Sequence, residues 1–120
     1  MMELLFMKRE PLFYLEIMLD YCNRSISYLN GISLEQFITN REKQDSISHV
    51  LYRLAEASVQ LDEQFKNKYK EINWKDINGL RVLLAHIYHN IDFSILYDIS
   101  VKAIPSLRDS LQKITNEIKI

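Results

Sequence analysis

Hydrophobic residues recur at intervals of three and four along most of the chain, a pattern that predicts amphipathic helices. The clearest case runs from about Leu12 to Leu29, where one apolar seam contains Leu15, Met18, Cys22, Ile26 and Leu29. Pro11 suits the first helical position, and Asn30-Gly31 favours an end to the helix. The sequence therefore predicts a first helix over this segment.

A short second helix is expected to begin at Ser33. The Ser33 hydroxyl can accept a hydrogen bond from the backbone at Gln36, and the Gln36 side chain can reach back to form a capping box. Ile32 and Phe37 have the spacing of the hydrophobic contact that often accompanies this motif.

A long third helix is predicted from about Arg41 to Lys66. Its apolar stripe consists of Ile47, Val50, Leu51, Leu54, Leu61 and Phe65. The opposite face is charged, so we expect this helix to lie along another helix of a bundle.

A fourth helix is predicted to start at Asn73, which can act as its cap, and to continue from Trp74 to about His89. Asp92 can cap a fifth helix in the same way.

Pro105 interrupts that last helix, because proline lacks the backbone N–H and its ring collides with the preceding turn. We expect a kink or break near Ile104, followed by a helical tail to Ile120.

Length and composition agree with this pattern. A chain of 120 residues with 48% hydrophobic residues can bury one core, and only two glycines and two prolines argue against a turn-rich β fold. We predict an all-α, up-and-down antiparallel bundle of four to five helices. Residues 1–120 form one domain, and residues 1–6 are expected to be an N-terminal extension before Met7.

The net charge of −1 excludes a protein that binds nucleic acid through a general positive field. One stretch is locally basic and contains Lys66, Lys68, Lys70, Lys75 and Arg81. Acidic residues are interleaved with it, so a solvated surface of mixed charge is the favoured interpretation for most of these lysines.

Cys22 is the one cysteine, which excludes an intramolecular disulfide and fits a reducing cytoplasm. Its place in the apolar seam predicts that it packs as a small hydrophobic residue. No apolar run approaches the roughly 20 residues needed to span a bilayer, so we expect a cytoplasmic protein without a membrane partner.

Several familiar chemistries are excluded by the motifs that the chain lacks. It has no glycine-rich phosphate loop, no Cys-x-x-Cys and no His-Glu-x-x-His. His86 and His89 are three residues apart and could share a zinc ion, but no third ligand is indicated. We therefore expect no metal and no cofactor, and the polar residues of the fourth helix remain as candidates.

The spacing of these candidates is unusual for a site on one helix. At about 100° per residue, Arg81 and Tyr88 align within about 20°, whereas His86 falls about 140° and His89 about 80° from Arg81. To meet Arg81 at one phosphate, His86 needs a distorted helix end or a second subunit. This geometry favours a site in a dimer.

Structural roles are the alternatives. Arg81 could pair with a carboxylate of another helix, His86 and His89 could be histidines that the helix dipole favours at a C-terminus, and Tyr88 could pack in the bundle.

The segment Arg81-Val-Leu-Leu-Ala-His86-Ile-Tyr88 resembles the R-x4-H-x-Y signature of HEPN domains, specifically HepT-like toxins. Three further segments, residues 31–37, 71–80 and 92–105, resemble that family's short second helix, its lead-in to the motif and its closing helices. The resemblance covers about Met7 to Leu111.

The resemblance implies a homodimer that cleaves RNA without a metal, through attack by a ribose 2′-hydroxyl, with Arg81 and His86 as catalytic residues. It implies the toxin of a type VII-like toxin–antitoxin pair. An MntA-like nucleotidyltransferase would be the antitoxin and would attach AMP to Tyr88. His89 and Asn90 adjoin the motif as candidate RNA contacts.

One departure bears on activity. The family commonly has a polar residue, usually Asn, directly after the motif arginine, and this chain has Val82. Val82 favours the alternative of a non-catalytic HEPN module that only binds a nucleotidyltransferase. A helical adaptor of unrelated function is the third interpretation.

Overall fold

A computed structural model describes residues 10–85 and 92–119, and most of them are helical. The helices are α1 (Pro11–Leu29), α2 (Leu34–Ile38), α3 (Arg41–Val59), α4 (Glu63–Lys68), α5 (Trp74–Ala85), α6 (Phe93–Asp98) and α7 (Ile104–Lys119), with a π-helical segment (Ile99–Ala103) between α6 and α7. These residues contain no strand, which confirms the all-α prediction. None of these helices is long and apolar enough to cross a membrane.

Helix α1 packs antiparallel to α3, as contacts between their polar edges show. The Lys43 ammonium lies 5.8 Å from the centre of the Tyr28 ring. Further along α3, the Arg53 Nε lies 3.5 Å from the Tyr21 hydroxyl. Residue numbers rise along α3 as they fall along α1, so the two helices run in opposite directions.

Helix α7 covers another side of α1, again antiparallel. The start of α1 meets the end of α7 through an ion pair of 3.1 Å between Glu16 and Lys119. Between these helices Cys22 is completely buried, and burial raises the pKa of its thiol to about 12. The prediction that Cys22 packs as a hydrophobic residue is therefore confirmed.

Two predicted helix starts are present as expected. Ser33 and Gln36 form both halves of a capping box, with the Ser33 amide 2.9 Å from Gln36 Oε1 and the Gln36 amide 3.2 Å from Ser33 Oγ. The Asp92 carboxylate accepts from the Ser94 amide at 2.9 Å and from its hydroxyl at 2.5 Å. These bonds from Ser94 lower the pKa of the Asp92 carboxyl group.

The prediction of one long helix from Arg41 to Lys66 is wrong. Helix α3 ends at Val59, and Asp62 starts α4 by accepting a hydrogen bond of 2.8 Å from the Phe65 amide. Aspartate is more favourable as the cap of a new helix, where its backbone is extended, than in the interior of a continuous helix. The apolar stripe continues across the turn, since Phe65 is buried as well, and this continuity explains why the pattern favoured one helix.

The chain does not break at Pro105. The Ile104 amide donates to the Ile99 carbonyl, five residues back, and the helix continues to Lys119. Proline cannot donate a backbone hydrogen bond, and its ring collides with the carbonyl four residues earlier in a regular α-helix. The wider π turn accommodates both effects, so the predicted irregularity is a change of helix type just before Pro105.

Candidate functional site

The start of helix α5 is attached to α4. Asn73 Oδ1 accepts from the Asp76 amide at 3.1 Å, which caps α5 as predicted. The Trp74 indole N–H donates to the Tyr69 carbonyl at 3.0 Å, and its ring lies edge-on to Phe65 with 6.4 Å between ring centres. These contacts fix the direction of α5 relative to α4 and so position the residues further along α5.

Arg81 is held at the edge of the core. Its neighbours on α5 that face the core are Ile77, Leu80 and Leu84. The Arg81 side chain is half-buried, with Nη1 3.5 Å from Asn78 Oδ1, at the outer limit of a hydrogen bond. Its Nε is fully buried and has no hydrogen-bond partner among the residues that the structure describes. A buried N–H without a partner costs about 1–3 kcal/mol, so the fold does not gain from this group.

The structural alternative for Arg81 required a carboxylate partner. Within residues 10–85 and 92–119, no carboxylate forms an ion pair with Arg81, and its side chain contacts the neutral amide of Asn78. The described part of the chain therefore leaves the guanidinium available to an external anion.

Arg81 borders an open groove of about 980 Å³ between α4, α5 and the segment that connects them. The charged residues that line the groove are Asp62, Glu63, Lys66, Lys70, Glu71, Lys75 and Arg81, and the uncharged ones are Val59, Leu61, Asn67, Ile72, Asn73, Trp74 and Asn78. Basic groups outnumber acidic ones here, although the whole chain carries a net charge of −1. The charge pattern of the sequence predicts a solvated surface for most of these lysines, and it does not show that Lys66, Lys70 and Lys75 share a groove with Arg81.

The surface beside Arg81 is apolar. Val82 is 62% exposed and Leu83 is 37% exposed, although both are large aliphatic residues on a regular helix. Val82 projects into solvent next to the motif arginine, so the side chain at this position contributes no hydrogen bond to the Arg81 site.

The other predicted site residues, His86, Tyr88, His89 and Asn90, lie outside the described residues. Helix α5 is described as far as Ala85, which confirms the first part of the predicted fourth helix. The distances that the predicted site requires between Arg81 and the histidines remain predictions. Within the described ranges, no group of three or more His, Cys, Asp or Glu side chains is arranged to hold a metal ion.

Sequence comparisons agree with the resemblance of the motif. The family model "Ribonuclease HepT-like" matches residues 18–114, which is most of the chain. This match identifies the all-α domain as a HEPN-type domain, and the chain belongs to the ribonuclease HepT-like family.

Several curated relatives match over nearly their whole lengths. A protein of Caldanaerobacter subterraneus, provisionally named an RNase, is 30% identical over 92% of this chain and 99% of its own length. A protein of Thermococcus cleftensis, provisionally named ribonuclease HepT, is 28% identical over 90% of this chain and 98% of its own. A Methanocaldococcus jannaschii protein, also provisionally named an RNase, is 27% identical over 93% of both chains. No solved structure matches the chain significantly.

Proposed function

We propose that this protein is a metal-independent endoribonuclease and the toxin of a type VII-like toxin–antitoxin pair. The observation that carries the proposal is the environment of Arg81. Its buried Nε has no hydrogen-bond partner in the described part of the chain, and its side chain lines the groove between α4 and α5. Membership of the ribonuclease HepT-like family and the names of the relatives support the same reaction class.

In the proposed reaction a ribose 2′-hydroxyl attacks the adjacent phosphorus, and the bond from phosphorus to the 5′-oxygen breaks. His86 takes the proton of the attacking hydroxyl or returns one to the leaving oxygen, since imidazole can exchange protons near neutral pH. Arg81 holds the phosphate through paired, charge-assisted hydrogen bonds and stabilises the charge that develops on its oxygens. A guanidinium in this position supplies the positive charge that a metal ion would otherwise provide.

A homodimer would complete the site. The helical spacing puts His86 about 140° from Arg81 on a regular helix, so one subunit does not easily bring both to one phosphate. A two-fold axis would supply a second copy of each residue and separate the roles of acid and base. The exposed Val82 and Leu83 offer apolar surface for such contact beside Arg81.

The proposed antitoxin is an MntA-like nucleotidyltransferase that attaches AMP to Tyr88 in the cytoplasm. The added phosphate would bring negative charge close to Arg81 and His86 and would compete with RNA. His89 and Asn90 are proposed as contacts to the RNA. The second candidate function, a non-catalytic module that only binds the nucleotidyltransferase, is favoured by the absence of a polar side chain at Val82.

Expression without the partner separates these functions. We expect growth arrest with the wild-type protein and normal growth with His86→Ala at equal protein levels. The purified wild type should cleave a single-stranded RNA at the same rate with and without EDTA. Loss of cleavage in EDTA refutes metal independence, and cleavage by His86→Ala removes this histidine from the reaction. No arrest and no cleavage by the wild type would support the non-catalytic module.

A further inference from the structure

We propose that the groove beside Arg81 is a subsite for the RNA strand, in which Lys66 and Lys70 contact backbone phosphates that flank the scissile one. This inference rests on the proposed function, because it assumes that Arg81 holds the phosphate at which the strand is cut. It adds residues from α4 and the connecting segment, which lie outside the sequence motif.

The basic side chains come from different elements and are spread along the groove. Lys66 belongs to the last turn of α4, Lys70 to the segment between α4 and α5, and Lys75 to the first turn of α5. Along α5 alone, Lys75 and Arg81 are separated by about 9 Å at 1.5 Å per residue. Positive groups at such intervals suit an extended polyanion better than a single small anion.

The fold does not engage these lysines in ion pairs. Among the described residues, Lys66, Lys70 and Lys75 form no ion pair with a carboxylate. One of the three acidic groups in the groove has a structural role, because the Asp62 carboxylate caps α4 through the Phe65 amide. The lysine ammonium groups are therefore available to phosphate.

The size of the groove and its other lining residues also fit a single RNA strand. The groove volume of about 980 Å³ lies at the upper end of the roughly 300–1,000 Å³ of small-molecule sites, so one phosphate would leave most of it empty. Side-chain amides of Asn67, Asn73 and Asn78 and the half-buried ring of Trp74 also line it. Proteins that bind single strands combine a basic groove with aromatic and polar groups in this way.

A structural role of these lysines in helix α4 must be distinguished from the proposed contacts to RNA phosphates. Lys66 lies in the last turn of α4, where a cation stabilises the helix through its dipole. Lys68 lies in the same turn but does not line the groove. Lys68 is therefore a matched control, because its loss removes the same helix interaction and leaves the groove intact.

The test compares two double variants, Lys66→Gln with Lys70→Gln in the groove and Lys68→Gln with Lys113→Gln outside it. Each removes two positive charges. Binding of a fluorescent 12-nucleotide single-stranded RNA is measured by anisotropy from 50 to 200 mM salt, with His86→Ala in every protein to prevent cleavage. Thermal unfolding of each protein checks that it is folded.

Two lost phosphate contacts should reduce the slope of log affinity against log salt by about 1.4, since each contact to a single strand contributes about 0.7. Over this fourfold salt range the wild-type affinity should then fall about sevenfold more than that of the groove variant. The control variant should keep the wild-type slope. Equal slopes for the groove and control variants overturn the subsite.

Cleavage distinguishes failure of the subsite from failure of the proposed function. With His86 present, the groove variant should lose activity on the 12-nucleotide RNA but cut a dinucleotide as the wild type does. Equal loss on both substrates, or weaker binding of the nucleotidyltransferase with unchanged RNA binding, overturns the subsite alone. A wild-type protein that neither binds nor cleaves RNA refutes the proposed function and the subsite with it.

Discussion

Replacement of Arg81 by methionine separates the stability of the fold from the proposed chemistry. Methionine retains an unbranched apolar stem of similar reach but removes the guanidinium and its buried Nε. We expect Arg81→Met to stabilise the protein and to abolish RNA cleavage. A residue that the fold requires should show the opposite effect on stability.

The expected magnitude follows from the polar contacts of Arg81. A buried N–H without a partner costs about 1–3 kcal/mol, and Arg81→Met removes that cost. The contact to Asn78 that is lost has an N···O distance of 3.5 Å and contributes little. For a domain of this size, each kcal/mol shifts Tm by about 4 °C, so Tm should rise by about 4–12 °C.

Thermal unfolding followed by circular dichroism measures this shift, with all proteins at one concentration because dimerisation would make Tm depend on it. Arg53→Met is the control, since Arg53 is exposed, its 3.3 Å ion pair with Glu56 is screened by solvent, and its 3.5 Å contact to the Tyr21 hydroxyl is at the outer limit of a hydrogen bond. A Tm below that of the wild type would refute the inference that the fold does not use Arg81. Cleavage at the wild-type rate would remove Arg81 from the proposed reaction.

Two further predictions concern the core and the helix starts. Burial raises the pKa of the Cys22 thiol from 9.0 to about 12, so Ellman's reagent at pH 8 should react with the native protein only as fast as the protein unfolds. The free energy of unfolding should fall as the pH rises from about 9 toward 12, because only the unfolded thiol ionises in that range. Immediate reaction with the reagent would contradict this burial. Ser33→Ala should lower the free energy of unfolding in urea by about 1 kcal/mol through loss of the capping hydroxyl, whereas Ser33→Asp should retain most of it; equal stability of all three proteins would show that the cap contributes nothing.

Local signals predicted much of the fold. The capping box at Ser33, the cap at Asp92 and the apolar seam that includes Cys22 each depend on residues close together in the sequence, and each is present. Such features can be predicted because the interaction and the residues that make it belong to one helix turn.

Two elements could not be predicted in the same way. The apolar stripe runs through the turn at Asp62 without a gap, so its period does not show where α3 ends. The signal was Asp62 itself, which is a good cap but also occurs inside helices. At Pro105 the sequence indicated an irregularity, but a break and a wider turn both relieve the collision of the proline ring with a carbonyl, so the sequence alone did not distinguish them.

The candidate site was predicted in part. The motif predicted Arg81 as a site residue, and the structure places it at the edge of the core beside a groove, while its catalytic role stays a prediction. The groove could not be read from the sequence, because Lys66 and Lys75 come together only through the turn before α4 and the corner between α4 and α5. A local charge pattern does not distinguish lysines dispersed over a surface from lysines gathered around one cavity.

The π-helical segment before Pro105 has a consequence for insertions and deletions. A π turn contains about one residue more than an α turn, so a single deletion within Ile99–Ala103 could convert it to an α turn and leave the flanking faces of α6 and α7 in place. Elsewhere in these helices the same deletion would rotate every later side chain by about 100°. The tolerance depends on residue 105, because a regular α turn would bring the proline ring against a carbonyl again. In homologues, the loss of one residue here and the loss of the proline are therefore expected to occur together.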